Sequence, residues 1–452
     1  MKTPIVDFVR KYSQSGCSRF HMPGHKGKSF LGCEENDITE IDGADVLYSP
    51  TGIILESENN ATELFGSRHT YYVTEGSSLS IKAMLAIATQ KKRTRGERPC
   101  VLAARNVHRA FVYGCALLDI DVEWLFGGEF SHFCECRIEE KDLEERLEEL
   151  RALKKLPDAV YITSPDYLGH IADIEGLSKV CDNYKIPLLV DNAHGAYLSF
   201  LKESKHPLDL GAAICCDSAH KTLPVLTGGA YLHISKKADP EFAQNARRML
   251  SLFSSTSPSY LMLESLDACN AYLSDGYVER LDSFAREISR LKECLLQRGY
   301  RIESGEPMKI VISAIGYSFS GVELAKFLRE RKIEVEFADR DFTVLMPTPE
   351  NDIQSLKHLE KALLDFEFEK ISNDRETKMK AFTASEREMS IREAMFAESE
   401  TVDCERAVGR ICAAPTVSCP PAVPIAVSGE RINSEQAELL KYYGIEEISV
   451  VK

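Results

Sequence analysis

Between about residue 70 and residue 235 the chain repeats one pattern: a short apolar run, a turn with Gly, Ser or Asp, and then a stretch with helical periodicity. The segments "RPCVLAARNVHRA", "DAVYITSPDYLG", "IPLLVDNAHGA" and "AAICCDSAHKT" each start apolar and end polar. Continuous apolar runs are the mark of strands buried on both faces, and helices between them imply parallel pairing. The pattern predicts an α/β domain with a mainly parallel sheet. Its polar residues gather at the C-terminal strand ends, where open α/β sheets place their ligands. Crossover helices are expected in "DLEERLEELRALKKL" and "EGLSKVCDNYK", and a long amphipathic helix in "DGYVERLDSFAREISRLKECLLQRG", closed by its glycine.

After that helix, "KIVISAIG", "GVELAKFLRERK", "IEVEFADRDFTVLMPT" and "DIQSLKHLEKALLDF" alternate strand and helix as a second, smaller α/β unit. A polar, helix-prone connector follows at "EKISNDRETKMKAFTASEREMSIREAMFAESE". The expected division is an N-terminal arm and segment over 1–69, a large domain over 70–300 and a small C-terminal domain over 301–452. No internal repeat or low-complexity tract stands out.

Composition narrows the function classes. A chain of 452 residues, 44% hydrophobic and 28% charged, has the balance of a globular protein of two domains, or of one large domain with an appendage. A formal charge of −15 argues against a nucleic-acid surface, which needs a basic stripe. The start "MKTPIVDFVRKYSQ" lacks the apolar core of a signal peptide, and charge or Pro interrupts every later apolar run, so a cytoplasmic protein without a membrane span is expected. Fourteen cysteines without framework spacing read as reduced thiols. "HFCECR" sets His132, Cys134 and Cys136 close together, but no second cluster at zinc spacing accompanies them, and no metal site is assigned.

The stretch "CDSAHKTLPVLTGGAYLH", Cys216 to His233, places Ser218, His220 and Lys221 at the tip of an apolar run. A lysine there is costly to desolvate as a cation, so its amine tends toward the neutral nucleophile of Schiff-base chemistry. Pyridoxal phosphate needs such a lysine, a carboxylate for its ring nitrogen and a cup for its phosphate. Asp191 ends the apolar run of "LLVDNAHGA". Gly76, Ser77 and Ser78 form a strand-to-helix turn suited to a phosphate, and Ser218 adds a hydroxyl. His108 in "RNVHRA" is a flat group at another strand end that could stack on the ring. Singly, each has a plainer reading as a helix cap, turn former or satisfied polar group. Their order along one α/β domain is what favours the cofactor.

These residues lie within motifs that resemble those of the Orn/Lys/Arg decarboxylases, pyridoxal-phosphate enzymes of the aspartate-aminotransferase fold (fold type I). The resemblance starts at "FHMPGHKG", Phe20 to Gly27, and runs through "DITEIDGADVLYSPTGII", "ELFGSRHTYYVTEGSS", "VHRA", "SPDYLGHIADI" and "VDNAHGA" to "SAHKTLPVLTGGAYLH". "REAMFAESETVDCERAVGRICAAPTVSCPPAVPIAVSGERI" is similar to the family's C-terminal domain. It implies that Lys221 binds the cofactor covalently and that His220 contacts phosphate or substrate and shuttles protons. Asp191 would pair with the ring nitrogen, with Ala193 and His108 flanking the ring. Gly76, Ser77, Ser78 and Ser218 would hold the phosphate, and His194 would be a structural or second-layer residue.

The chain departs from the family in three places. It has "EGSS" where an Asn-Gly-Thr-Ser type loop is usual, which brings Glu75 near the phosphate unless it points away. "NAHGAY" stands where an acidic residue precedes Ala-His, and "CPPAVP" replaces the usual Pro-Pro-Gly-Ile-Pro. The length resembles the short biosynthetic form, without an N-terminal wing domain.

The implied reaction is decarboxylation of arginine, lysine or ornithine to the amine, with arginine favoured and polyamine metabolism as its setting. Glu336, Asp166 and Glu430 are candidates for the substrate's basic end. The alternatives are another pyridoxal-phosphate reaction, with Arg340 or Arg410 holding an α-carboxylate as in aminotransferases, and a non-catalytic cofactor-binding member. His21, His25 and Lys26 of "HMPGHKG" could form a metal or anion site. The preferred reading of that segment is an arm over the active-site mouth of a homodimer or higher homo-oligomer.

Overall fold

The structure is a computed structural model that describes residues 1–127, 137–303, 305–371, 385–415 and 424–452. The chain packs as two units, Met1–Lys91 with Ile174–Arg280, and Lys92–Asp173 with Leu281–Lys452. Its strands are β1 (His69–Val73), β2 (Cys100–Ala104), β3 (Asp121–Leu125), β4 (Ala159–Thr163), β5 (Leu188–Asp191), β6 (Ile214–Asp217), β7 (Ala230–Ile234), β8 (Arg301–Ile302), β9 (Ile310–Ser313), β10 (Phe337–Ala338), β11 (Phe342–Leu345), β12 (Ser399–Asp403) and β13 (Glu447–Val451).

In the first unit β1, β7, β6 and β5 lie side by side in that order. β5 and β6 are parallel, from Leu189 opposite Ile214 to Asp191 opposite Cys216, while β7 is antiparallel to both β6 and β1. It follows that β1, β5 and β6 run the same way and end on one edge. The apolar runs Leu188–Val190 and Ile214–Cys216 are buried, as their sequence demands. The helix Ser77–Ala88 carries buried residues on almost every side, because it packs between these strands and the helix Pro240–Phe253. The first-turn N–H groups of Ile5 and Val6, left over at the start of the helix Pro4–Ser13, donate to the buried Asp267 carboxylate at 2.9 and 3.0 Å.

In the second unit β4, β2 and β3 are parallel, and the helix expected in "DLEERLEELRALKKL" forms as Glu140–Ala152, while the one expected in "EGLSKVCDNYK" forms as Ile174–Tyr184 in the first unit. β10, β11, β9 and β8 make an antiparallel sheet. The stretch "IEVEFADRDFTVLMPT" reads as one strand but folds as the β10–β11 hairpin. Its turn forms because Asp339 Oδ1 accepts the Asp341 and Phe342 N–H groups at 2.8 and 2.7 Å. β12 pairs with β13 over a separate cluster that includes Cys404, Ile425, Leu440 and Val450. The long helix Tyr277–Arg298 ends at Gly299, φ +106°, as its sequence predicts. Part of the polar connector and of "CPPAVP", and all of His132, Cys134 and Cys136, lie outside the described residues. Among the described residues no helix is long and apolar enough to cross a membrane.

Candidate active site

Three segments of the first unit meet on the edge shared by the ends of β1, β5 and β6. The first follows β1. Gly76 has φ +73° and ψ 168°, backbone that only glycine adopts without strain, and its N–H donates to the Gly228 carbonyl at 2.7 Å. A Cβ placed on it would meet nothing within 4 Å, so the space over this turn is open. Ser77 and Ser78 then begin the 12-residue helix Ser77–Ala88, whose first N–H groups have no intrahelical acceptors and whose positive dipole end favours an anion. Glu75 is drawn away from this turn, since its carboxylate accepts the Ser255 N–H at 2.7 Å.

The second segment follows β6. Ser218 Oγ lies 2.7 Å from Ser77 Oγ, which joins two hydroxyls and a helix N-terminus into one anion cradle. His220 and Lys221 follow in a single helical turn, Ala219–Thr222. The His220 N–H and its Nδ1 both reach the Gly229 carbonyl, at 3.2 and 3.1 Å. A carbonyl only accepts, so Nδ1 carries a proton.

The third segment follows β5. Asp191 is buried, and its Oδ1 accepts the Ala193 N–H at 3.2 Å and the Cys216 thiol at 3.6 Å. Three residues on, His194 places Nε2 3.0 Å from Lys221 Nζ. The resemblance gives His194 a structural or second-layer role, because spacing along a loop does not say which way a ring turns. The structure makes it a direct neighbour of the lysine amine.

The structure therefore joins Gly76, Ser77, Ser78 and Ser218 in one cradle and sets His194 on Lys221, with Asp191 and Ala193 on the same strand edge. A cradle of hydroxyls and N–H groups, an open space, a buried carboxylate and an amine are what a phosphate, a ring nitrogen and an aldehyde require, so these residues fit pyridoxal phosphate. His108 lies in the second unit, where its Nδ1 accepts the Ala110 N–H at 3.2 Å and caps the helix Arg109–Leu118.

Several other candidates have their side chains engaged elsewhere. Glu430 forms a two-pronged ion pair with Arg105, at 2.6 and 2.8 Å, with both side chains buried. Asp166 accepts the His170 N–H and Nδ1 at 2.9 and 3.0 Å. Glu336 is exposed and accepts a long 3.4 Å bond from Tyr167. Arg340 sits over the Tyr442 ring, and Arg410 donates to Glu400 and to the Val451 carbonyl. His21 and His25 do not converge, the first bonding Tyr12 at 2.6 Å and the second Asp37 at 3.2 Å.

The chain matches a family model described as Orn/Lys/Arg decarboxylase, major domain, over residues 3–311, and one described as the C-terminal domain of the same family over residues 369–449. It is 28% identical to the uncharacterized protein YaaO of Bacillus subtilis, over 97% of this chain and 94% of that one. Identity to the arginine decarboxylase of the same organism is 27%, over 96% and 92%. The solved structure of the constitutive lysine decarboxylase of Escherichia coli superposes with a TM-score of 0.80 at 20% identity, covering 100% of this chain and 82% of that one. For lysine decarboxylase A of Pseudomonas aeruginosa the TM-score is 0.83 at 17% identity, covering 99% and 80%. The α/β fold, with its mainly parallel strands and its C-terminal domain, is that of the fold type I enzymes. The chain belongs to the Orn/Lys/Arg decarboxylase family, whose members are pyridoxal-phosphate-dependent amino-acid decarboxylases.

Proposed function

We propose that this enzyme removes the α-carboxylate of a basic amino acid, with arginine favoured over lysine and ornithine, and serves polyamine formation in the cytoplasm as a homodimer or higher homo-oligomer. The observation that carries the reading is the 3.0 Å contact of Lys221 Nζ with His194, on the edge that also bears Asp191 and the Ser77–Ser218 cradle. Pyridoxal phosphate, when bound, supplies the electron sink for bond breaking at Cα. The chain's residues supply position and proton control. Ser77, Ser78, Gly76 and Ser218 would hold the phosphate, Asp191 would pair with the ring nitrogen, and Ala193 would flank the ring. His194 Nε2 holds or passes a proton at Lys221 Nζ, and His220 beside the lysine belongs to the catalytic set. The arginine preference draws on the Bacillus relatives named arginine decarboxylase.

On this reading residues 1–69 are an arm and segment, 70–300 the cofactor-binding domain and 301–452 the small C-terminal domain. The test is incubation of the cofactor-loaded protein with arginine, lysine, ornithine and a neutral amino-acid panel, followed by product mass. Loss of carbon dioxide from arginine in preference to the others is the expected result. Keto acids, or no product from any basic amino acid, would overturn it.

A further inference from the structure

Strand alternation gives β6 a second face. Cys216 turns toward Asp191, so Cys215 and Asp217 turn the opposite way. There Asp217 Oδ2 lies 3.1 Å from Nε2 of both His206 and His233. The four side chains of His206, Cys215, Asp217 and His233 are fully buried, and their ligand-type atoms all fall within 4.8 Å of one another. Among the described residues this is the one set of its kind.

Several observations point the same way. Two imidazoles, a thiol and a carboxylate are the donor set of zinc-class ions. The two rings stand 5.5 Å apart, centroid to centroid, at 86°. Rings bound through Nε2 at about 2.0 Å around a tetrahedral ion would have centroids roughly 5 Å apart.

The donors also have the outer partners that orient metal ligands. Asn192 Nδ2 donates to Asp217 Oδ1 at 2.7 Å. His233 Nδ1 meets Thr70 Oγ1 at 2.8 Å, and that hydroxyl is itself 2.8 Å from Ser67 Oγ. Charge adds an independent reason. A carboxylate and a sulfur side by side in a place closed to water gain from a cationic partner. A dication with one carboxylate and one thiolate is neutral.

We propose that His206, Cys215, Asp217 and His233 form a closed, four-ligand structural site for a zinc-class divalent ion behind β6. The competing arrangement is a metal-free network in which both imidazoles donate to Asp217. One contact fits that network better: Leu208 N–H reaches His206 Nδ1 at 3.4 Å, the longest bond of the cluster, whereas a metal at Nε2 puts the proton on Nδ1. The site does not depend on the catalytic reading, because none of its four ligands belongs to the cofactor cradle.

The test uses the cofactor-loaded chain of 452 residues, prepared without a metal-affinity tag from zinc-supplemented medium. Mass spectrometry of its metals should find about one ion per chain after gel filtration, falling at least tenfold in Cys215→Ser with His206→Asn. X-ray absorption at the zinc edge of the unaltered protein should show one sulfur neighbour at about 2.3 Å, a readout that survives if the variant fails to fold. Less than about 0.1 ion per chain, or zinc with no sulfur neighbour, would overturn the site and leave the metal-free network in its place.

Discussion

Glu430→Gln separates a structural role for Glu430 from one in reading the substrate. Glu430 is 3% exposed and Arg105 1%, and the pair is held at two points, 2.6 and 2.8 Å. Arg105 also donates to the Pro424 carbonyl and lies over Trp124, and Glu430 Oε2 accepts the Val427 N–H at 2.9 Å. The substitution removes the negative charge and turns an amide N–H₂ toward the guanidinium, which leaves a buried cation without compensation. Breaking a buried pair from one side costs about 3–5 kcal/mol.

In a unit of this size each kcal/mol moves the transition by roughly 2–4 °C, so melting by circular dichroism should fall by roughly 6–20 °C. Well below that temperature, KM for the preferred basic amino acid should stay within about twofold of the parent, since the residue is spent on packing. Arg105→Met with Glu430→Leu removes both charges and should recover most of the stability. Unchanged melting together with a KM raised about tenfold or more would refute the structural role and return Glu430 to the substrate site.

Lys221→Ala should abolish the visible absorbance of the bound cofactor and lower turnover by at least about a thousandfold, as read by spectrum and product mass. His194→Ala should leave the cofactor bound but shift the pH at which its absorbance changes, and an unaltered titration would show that the 3.0 Å contact with Lys221 has no part in proton control. Gly76→Ala forces an L side chain to φ +73° with nothing to clash against, so backbone strain of about 1–3 kcal/mol should appear as roughly tenfold or greater loss of cofactor affinity in fluorescence titration. Burial, helped by Asp267 and Asp37, pushes Glu264 from 4.5 up to about 7. An acid raised in the folded state binds its proton more tightly there, so its contribution is present at low pH and lost as pH rises from about 4.5 through 7. Glu264→Gln should therefore be more stable than the parent by about 1–3 kcal/mol at pH 8, after allowance for partial exposure, with the gap closing near pH 5 in urea denaturation.

Much of the fold and of the candidate site can be read from local pattern. Apolar runs such as "LLVD" and "ICCD" can be satisfied only inside a sheet. Gly76 marks a backbone turn by its lack of a side chain, and a lysine at a strand tip is conspicuous because a buried amine is costly. The β10–β11 hairpin was hidden because its turn depends on two bonds to the Asp339 side chain within an otherwise strand-like run.

The sequence by itself determined the alternation of strands and helices, the residues at the strand ends and the cofactor chemistry they permit, since these follow from periodicity and from what each side chain can do. Only the tertiary structure decided which way each side chain faces and what it meets. It turned His194 onto Lys221 and Glu75 onto Ser255, and it spent Glu430 on Arg105, 325 positions away in the chain. It also gathered His206, Cys215, Asp217 and His233 from a loop and two strands. Contacts between distant residues depend on strand register and on ring orientation, and neither is encoded by spacing along the chain.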